Sequence, residues 1–169
     1  MIKTNTNNEL LLREKIIKFA LQQYGSLYVH GKHGPDSFDC AGFAWFVYNE
    51  MCNIDIYKDG FGLSTTTRIM TSCYGKNNLY DENDLNKNID IINSGDILFF
   101  HRQSIKDNKP RIDNKYPGHC GIYLSDNYFI HCSSKKEKVI IGYFKNNNYW
   151  KKVLVGSKNI ISDSKVLKK

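Results

Sequence analysis

The sequence predicts an α+β fold, with helices packed on a following antiparallel sheet of about five strands. Three observations carry that reading. Through the first third of the 169-residue chain, apolar residues recur at three- and four-residue spacing. Beyond residue 90 the pattern changes to short apolar runs separated by turn residues. Helices first and strands second, without alternation, is the order of an α+β domain. A composition of 41% hydrophobic and 13% aromatic residues is globular and not disordered. The length supports one hydrophobic core. The expectation is therefore a single catalytic domain over 1–169, with a core from about 9 to 156 and polar or basic tails on either side.

The elements follow in order. Residues 1–8 are polar and read as a loose tail. From Glu9 to Tyr24, Leu12, Ile16, Phe19 and Ala20 mark an amphipathic helix, and Gly25 is a stop signal. Gly25, Gly31, Gly34 and Pro35 shape the loop that follows. A second helix is expected from Cys40 to Met51, with Asp39 as its N-cap. Phe43, Phe46 and Val47 share a side with Glu50, while Ala44, Trp45 and Tyr48 extend the apolar surface. A helix apolar nearly all round belongs in the centre of a fold. A shorter helix is expected over Leu63 to Tyr74, and a polar loop over Gly75 to Asn88. Ser94-Gly95-Asp96 is a turn before a strand from Ile97 to His101. Arg102 to Pro117 is a long polar loop. His119 to Leu124 and Tyr128 to Cys132 flank the turn residues Ser125-Asp126-Asn127 and form a hairpin. Val139 to Tyr143 and Trp150 to Val155 complete the strands, and the chain from Gly156 is expected to fray.

A formal net charge of +7 predicts an anionic partner: nucleic acid, an anionic membrane surface or an acidic cell-wall polymer. The lysines are scattered and do not interleave with aromatics as in a nucleic-acid module, which disfavours the first. No apolar run is long enough to span a bilayer, and residues 1–8 lack the apolar stretch of a signal peptide. The five cysteines, at 40, 52, 73, 120 and 132, are odd in number and show no CxxC spacing. That leaves at least one thiol free and argues against a disulfide framework.

Cys40 is the candidate nucleophile. In the first turn of a helix, unpaired backbone N–H groups and the helix dipole favour the thiolate, which is the reactive form. His119 opens one strand of the hairpin and His131 lies near the end of the other, so the two come close across the ladder. Alternation places His119, Gly121 and Tyr123 on one face with Phe129, His131 and Ser133. If the Cys40 helix packs on that face, Cys40 acts as nucleophile, His119 as base and His131 as the group that orients the base. The competing reading is a core cysteine beside two ordinary strand-end histidines. A zinc site, from His30, His33 and Cys40 or from His119 and Cys120, lacks the paired short spacings such sites use.

Four blocks together carry a family resemblance. Tyr28-Val29-His30-Gly31 with Phe38-Asp39-Cys40-Ala41-Gly42-Phe43 resembles the "PYVWGG…FDCSGF" block of NlpC-type cysteine peptidases. Ser94 to Phe100 is similar to "PGDLVFF", Gly118 to Leu124 to "GHVGIYL", and Phe129 to Ser134 to "FIHASS". The blocks occur in family order across roughly residues 10 to 145. The resemblance implies a papain-like fold, a Cys40–His119–His131 triad and no metal or organic cofactor. It implies cleavage of the γ-D-glutamyl–diamino acid bond in peptidoglycan stem peptides by a monomer acting at the cell wall. Cysteine before histidine sets the chain apart from circularly permuted lipid acyltransferases of the same fold.

The resemblance also assigns Tyr28 to the substrate carbonyl or developing oxyanion, with core packing as its other role. It assigns Asp39 to the free amino end of the stem peptide. Ala41 stands at the usual serine position, where a hydroxyl would contact that amine. His30 replaces a tryptophan, and Thr65 stands where many members carry arginine. Three other functions stay open: an N-acetylmuramoyl-L-alanine amidase, a non-catalytic wall-binding module, and an amidase acting on a protein outside the wall. Delivery by a phage or mobile element, or a cytoplasmic site, fits the absent leader.

Overall fold

One mixed sheet gathers the strands, and a helix that starts at Cys40 lies across it. The computed structural model describes residues 3–57, 66, 69, 70, 75–80, 89–101, 117–145 and 148–167. Their strands are β1 (Leu27–Tyr28), β2 (Ser37–Phe38), β3 (Lys76–Leu79), β4 (Ile97–Phe100), β5 (His119–Ser125), β6 (Tyr128–Ser133), β7 (Lys138–Tyr143) and β8 (Leu154–Asn159). They form one sheet in the order β2-β1-β7-β6-β5-β4-β8-β3. The β1–β2 pairing is parallel and the others are antiparallel. The helices are α1 (Lys3–Gln22), α2 (Cys40–Cys52), α3 (Asn148–Val153) and α4 (Ser164–Leu167). The fold is α+β as expected, with eight strands among the described residues where five were predicted.

The local signals explain the elements that were expected. Asp39 caps α2 from extended backbone, and Asn53 closes it in the left-handed conformation. Asp126 and Asn127 both take positive φ, 50° and 70°, which suits the tight turn between β5 and β6. Gly25, at φ 87°, ends the first helical segment.

Four expectations are corrected. Residues from Lys3 onward already belong to α1, so the chain before Glu9 is not a loose tail. The polar stretch Lys76–Leu79 is a strand and not loop. Trp150 to Val153 is helical, with the strand starting at Leu154. The chain does not leave the fold at Gly156: β8 runs to Asn159 between β4 and β3, and Ile160, Ile161 and Val166 are buried. The helix expected over Leu63 to Tyr74 falls mostly outside the described residues, although Thr66, Ile69 and Met70 are helical. The 102–116 loop and most of the 75–88 loop also lie outside them.

The sheet is buried on both faces. Cys120, Ile122, Ile130 and Cys132 join Phe43, Ala44, Val47 and Tyr48 of α2 in the larger core. Leu98, Phe100, Tyr123, Phe129, Phe144 and Leu154 form a second cluster, flanked by Trp150. Where α1 crosses the sheet, Arg13 is only 7% exposed. Its guanidinium donates to Asp96 at 3.0 Å, to the Ser94 carbonyl at 2.7 Å and to Glu9 at 2.8 Å. Further bonds reach Asn159 and Ser162. Burial pushes the Asp96 carboxyl up, more than the Arg13 contact and the Asn93 amide pull it down. Such a pair adds little net stability when intact and costs much when one partner is removed.

Arg13→Met is therefore expected to destabilise the fold by about 3–5 kcal/mol, read from the midpoint of urea unfolding. Adding Asp96→Asn should recover a large part of that loss, because the uncompensated buried charge disappears. Equal midpoints for the single and double variants would refute this account.

Candidate active site

The site is assembled on the start of α2. The Asp39 carboxylate accepts the Gly42 amide at 2.6 Å through Oδ1 and the Gly31 amide at 3.0 Å through Oδ2. The Asp39 amide donates to the Lys32 carbonyl at 2.7 Å. The loop ahead of the helix is thus tied to its first turn at both ends. Gly42 is required there, because a Cβ would stand 2.1 Å from the Lys32 carbonyl oxygen and 2.8 Å from His33 Cα. Tyr28 is held beside this loop by its pairing with Phe38 and by its backbone N–H, which donates to the Glu137 carbonyl at 2.8 Å. Ala41 is buried in the first turn, 2% exposed, and packs in the core under α2.

Cys40, the first residue of α2, is half-buried. Its thiol is held well below the ordinary thiol range. A hydrogen bond with the Cys120 thiol contributes most, and His119 contributes both a hydrogen bond and its charge; Thr66 adds another hydrogen bond, against the opposing effect of burial. Cys52 and Cys132 behave in the opposite way. Burial pushes each of them up to about 12.

His119 and His131 meet as the hairpin predicts: His119 Nε2 lies 2.8 Å from His131 Nδ1. Register explains how. Ile122 pairs with Ile130 and Tyr123 with Phe129, which sets His131 opposite Gly121, diagonal to His119 on the same face. Gly121 leaves room for it. A Cβ there would stand 2.9 Å from the Ile130 carbonyl oxygen and 3.0 Å from His131 Cβ. Trp150 of α3 closes the arrangement, with ring centroids 5.1 Å from His131 and 6.2 Å from His119.

Burial first, then the neighbouring His119, hold the His131 imidazole well below its usual value, so it stays neutral. A neutral ring has one donor and one acceptor nitrogen. When His119 carries both its protons, its Nε2–H donates to His131 Nδ1, and the His131 proton then sits on Nε2. That atom is buried and has no hydrogen-bond partner among the described residues. The His131 ring stands at 74° to the Trp150 ring, an edge-on contact in which an N–H can face the indole π surface.

One sequence expectation about the site is corrected. The α2 helix does not pack on the face that carries His119, Gly121 and Tyr123. It packs on the opposite face, over Cys120 and Ile122. Cys40 meets His119 because His119 is the first residue of β5, at the end of the strand where α2 begins. Thr66 and Trp150 were not singled out as site residues, and Cys120 was named only in a zinc pair with His119. Alternation already aims Cys120 away from His119; no local signal marked the other two. Among the described residues, no group of three His, Cys, Asp or Glu side chains is arranged to hold a metal. No helix among them is long and apolar enough to cross a membrane.

A sheet with a central helix starting on a cysteine, and histidines at the adjoining strand, is the layout of a papain-like hydrolase fold. Within that class the chain belongs to the NlpC/P60 family, whose sequence profile matches residues 25–159. It is 28% identical over 147 residues to "Probable endopeptidase YafL" of Escherichia coli, covering 86% of this chain and 49% of that protein. It is 28% identical over 144 residues to "Probable peptidoglycan endopeptidase LytE" of Bacillus subtilis, covering 85% of this chain and 33% of that one. The chain thus spans half or less of the length of these relatives. The solved NlpC/p60 domain of peptidoglycan hydrolase SagA shares the fold at a TM-score of 0.61 and 21% identity, covering 87% of this chain and 97% of that one. RipD of Mycobacterium tuberculosis, described as a non-catalytic NlpC/p60 protein adapted to peptidoglycan binding, shares it at 0.57 and 12%, covering 88% and 97%.

The thiol assignments predict selective alkylation. At pH 6, iodoacetamide should label Cys40 at least about tenfold faster than Cys52 or Cys132, because the Cys40 thiol is pulled well down from its ordinary range while burial pushes the other two up. His119→Ala should slow the Cys40 reaction by removing a hydrogen bond and a charge that favour the anion. Peptide mass mapping reads both outcomes, and uniform labelling of the three thiols would contradict them.

Proposed function

We propose that this chain is a cysteine endopeptidase that hydrolyses the γ-D-glutamyl–diamino acid bond of peptidoglycan stem peptides. The observation that carries the reading is the contact line from the Cys40 thiol through His119 to His131, with His119 Nε2 and His131 Nδ1 2.8 Å apart. A non-catalytic binding module has no need of a depressed thiol beside an oriented imidazole.

The chemistry follows from these positions. Because His119 Nε2 is taken by His131, His119 Nδ1 is the nitrogen that faces the thiol. The Cys40 thiolate attacks the scissile carbonyl, and negative charge develops on its oxygen. The Cys40 backbone N–H receives that charge at the helix start, where the first N–H groups have no intrahelical partner. The Tyr28 hydroxyl supplies a second donor. His119 then gives its proton to the leaving amine, and a thioester remains on Cys40. Water, deprotonated by His119, attacks the thioester and restores the thiol. His131 acts throughout as a neutral acceptor that fixes the His119 ring.

Recognition is less orthodox than catalysis. Both Asp39 oxygens already accept backbone amides, so any contact with a substrate amine is shared with the helix cap. Ala41 offers no hydroxyl to that amine. Preference for a free amino end is therefore expected to be weak. The excess of basic residues suits an anionic wall.

Defined stem peptides with free and blocked amino ends test the proposal, with products read by mass spectrometry. Expected are cleavage after the γ-linked D-glutamate, similar rates for both peptides, and a loss of at least about a thousandfold in Cys40→Ala. Ala41→Ser should raise the preference for the free end. Release of the whole stem from muramic acid would instead identify an amidase, and undiminished wall clearance by Cys40→Ala would overturn the enzymatic reading. Gly121→Val, which crowds His131, should lower kcat by about 10- to 100-fold with little change in KM.

A further inference from the structure

Cys120 is a buried thiol that forms no covalent bond in the hydrolytic chemistry; its part there is a hydrogen bond that favours the Cys40 thiolate. It is fully buried on β5, on the face under α2. Its Sγ donates to the Cys40 carbonyl at 3.2 Å, and its thiol also contacts the Cys40 thiol. The other described cysteines are placed differently. Cys132 donates to the Phe38 carbonyl at 3.3 Å. Cys52 ends α2, about 18 Å from Cys40 at the helical rise per residue. A reactive, half-buried thiol thus has a second thiol directly behind it, shielded from solvent.

From this geometry we infer that Cys40 and Cys120 form a reversible oxidation site for hydroperoxides, with Cys40 the peroxidatic thiol and Cys120 the resolving one. The inference rests on Cys40 being the reactive thiol, but not on any particular peptide bond being cleaved. In the first step the Cys40 thiolate attacks one peroxide oxygen and the O–O bond breaks. Sulfur is oxidised by two electrons to the sulfenic acid, and the other oxygen leaves as hydroxide, or as alkoxide from an organic hydroperoxide. In the second step the Cys120 sulfur attacks the Cys40 sulfur. The S–S bond forms, the S–OH bond breaks, and the hydroxide leaves as water with the Cys120 proton. A dithiol reductant returns both thiols and becomes a disulfide itself.

The site is ordered in time by charge. While Cys40 is a thiolate, its hydrogen bond is the foremost cause holding the Cys120 thiol well above the usual range, with burial next. Cys120 therefore stays protonated during hydrolysis, as the donor to the Cys40 thiolate. Conversion of Cys40 to a neutral sulfenic acid removes that charge, and the resolving thiol becomes easier to ionise when it is needed. The disulfide then protects Cys40 from irreversible oxidation to the sulfinic acid.

The test is treatment of the whole protein with a small excess of hydrogen peroxide, followed by intact mass and disulfide mapping, with and without dithiothreitol. Wild type should lose two hydrogen atoms, show a Cys40–Cys120 linked peptide, and regain iodoacetamide labelling of Cys40 on reduction. In Cys120→Val the share of oxidised Cys40 that ends as sulfinic acid, not reversed by dithiothreitol, should be at least about tenfold higher than in wild type, a ratio that cancels the slower first oxidation expected from loss of the Cys120 hydrogen bond. An equal sulfinic share in the two proteins would overturn the inference, as would a disulfide from Cys40 to Cys73 or between molecules. If Cys120→Val does not fold, the wild-type mapping decides alone: no Cys40–Cys120 peptide refutes it. Loss of peptidoglycan cleavage in any buffer leaves these readouts untouched, so the two readings fail separately.

Discussion

The Asp39 carboxylate sets where α2 begins, and the rest of the site is arranged from that point. One oxygen caps the helix and the other holds the glycine loop, at 2.6 and 3.0 Å. An N-cap of this kind contributes on the order of 1 kcal/mol, which is modest for the fold. Its larger effect is positional. It fixes Cys40 as the first helical residue, and it brings the Lys32–His33 backbone so close that only glycine fits at 42. A shift of the helix start by one residue would turn the thiol about 100° around the axis, away from His119.

The sheet separates two tasks. On the face under α2, aliphatic packing and two buried thiols hold the helix. On the other face, Phe100, Phe129 and Trp150 surround the paired imidazoles. β5 serves both sides because its successive residues alternate. That is why its sequence reads as a continuous buried run and not as polar–apolar alternation. The reactive contact forms where the two faces meet, at the first residue of the strand. A dry aromatic surround on one side and hydrogen-bond partners on the other put opposite demands on the two ends of the line. Burial keeps the His131 imidazole neutral, while Cys120 and His119 pull the Cys40 thiol down toward its anion.

Much of this was legible in the sequence, for local reasons. Three- and four-residue spacing revealed α1 and α2, and Asp39 announced the helix start. The Asp126-Asn127 turn set the hairpin and with it the histidine pair. What stayed hidden depends on distant partners. β8 reads Leu-Val-Gly-Ser-Lys-Asn, and its Lys158 is buried because its ammonium donates to the Met70 carbonyl at 2.8 Å. β3 reads Lys-Asn-Asn-Leu and exists through its pairing with β8. β1 and β2, two residues each, carry no periodicity at all. Which face of β5 the helix would cover was equally invisible, since both faces are apolar. Cys120 became significant only once α2 was seen to lie above it.

The composition of the outer strands has a consequence of its own. An open sheet ends in two rows of backbone donors and acceptors, and each can template a foreign strand. Here the order of the described strands ends at β2 on one side and β3 on the other. β2 is too short to register a partner. β3 is exposed along its whole length, and three of its four residues are a lysine and two asparagines, which pair poorly as strands; Leu79 is the fourth. The same features that hid these strands from a sequence reading make them weak nuclei for intermolecular sheet growth. The eight described strands can therefore form a sheet whose two outer members are poor templates for a foreign strand.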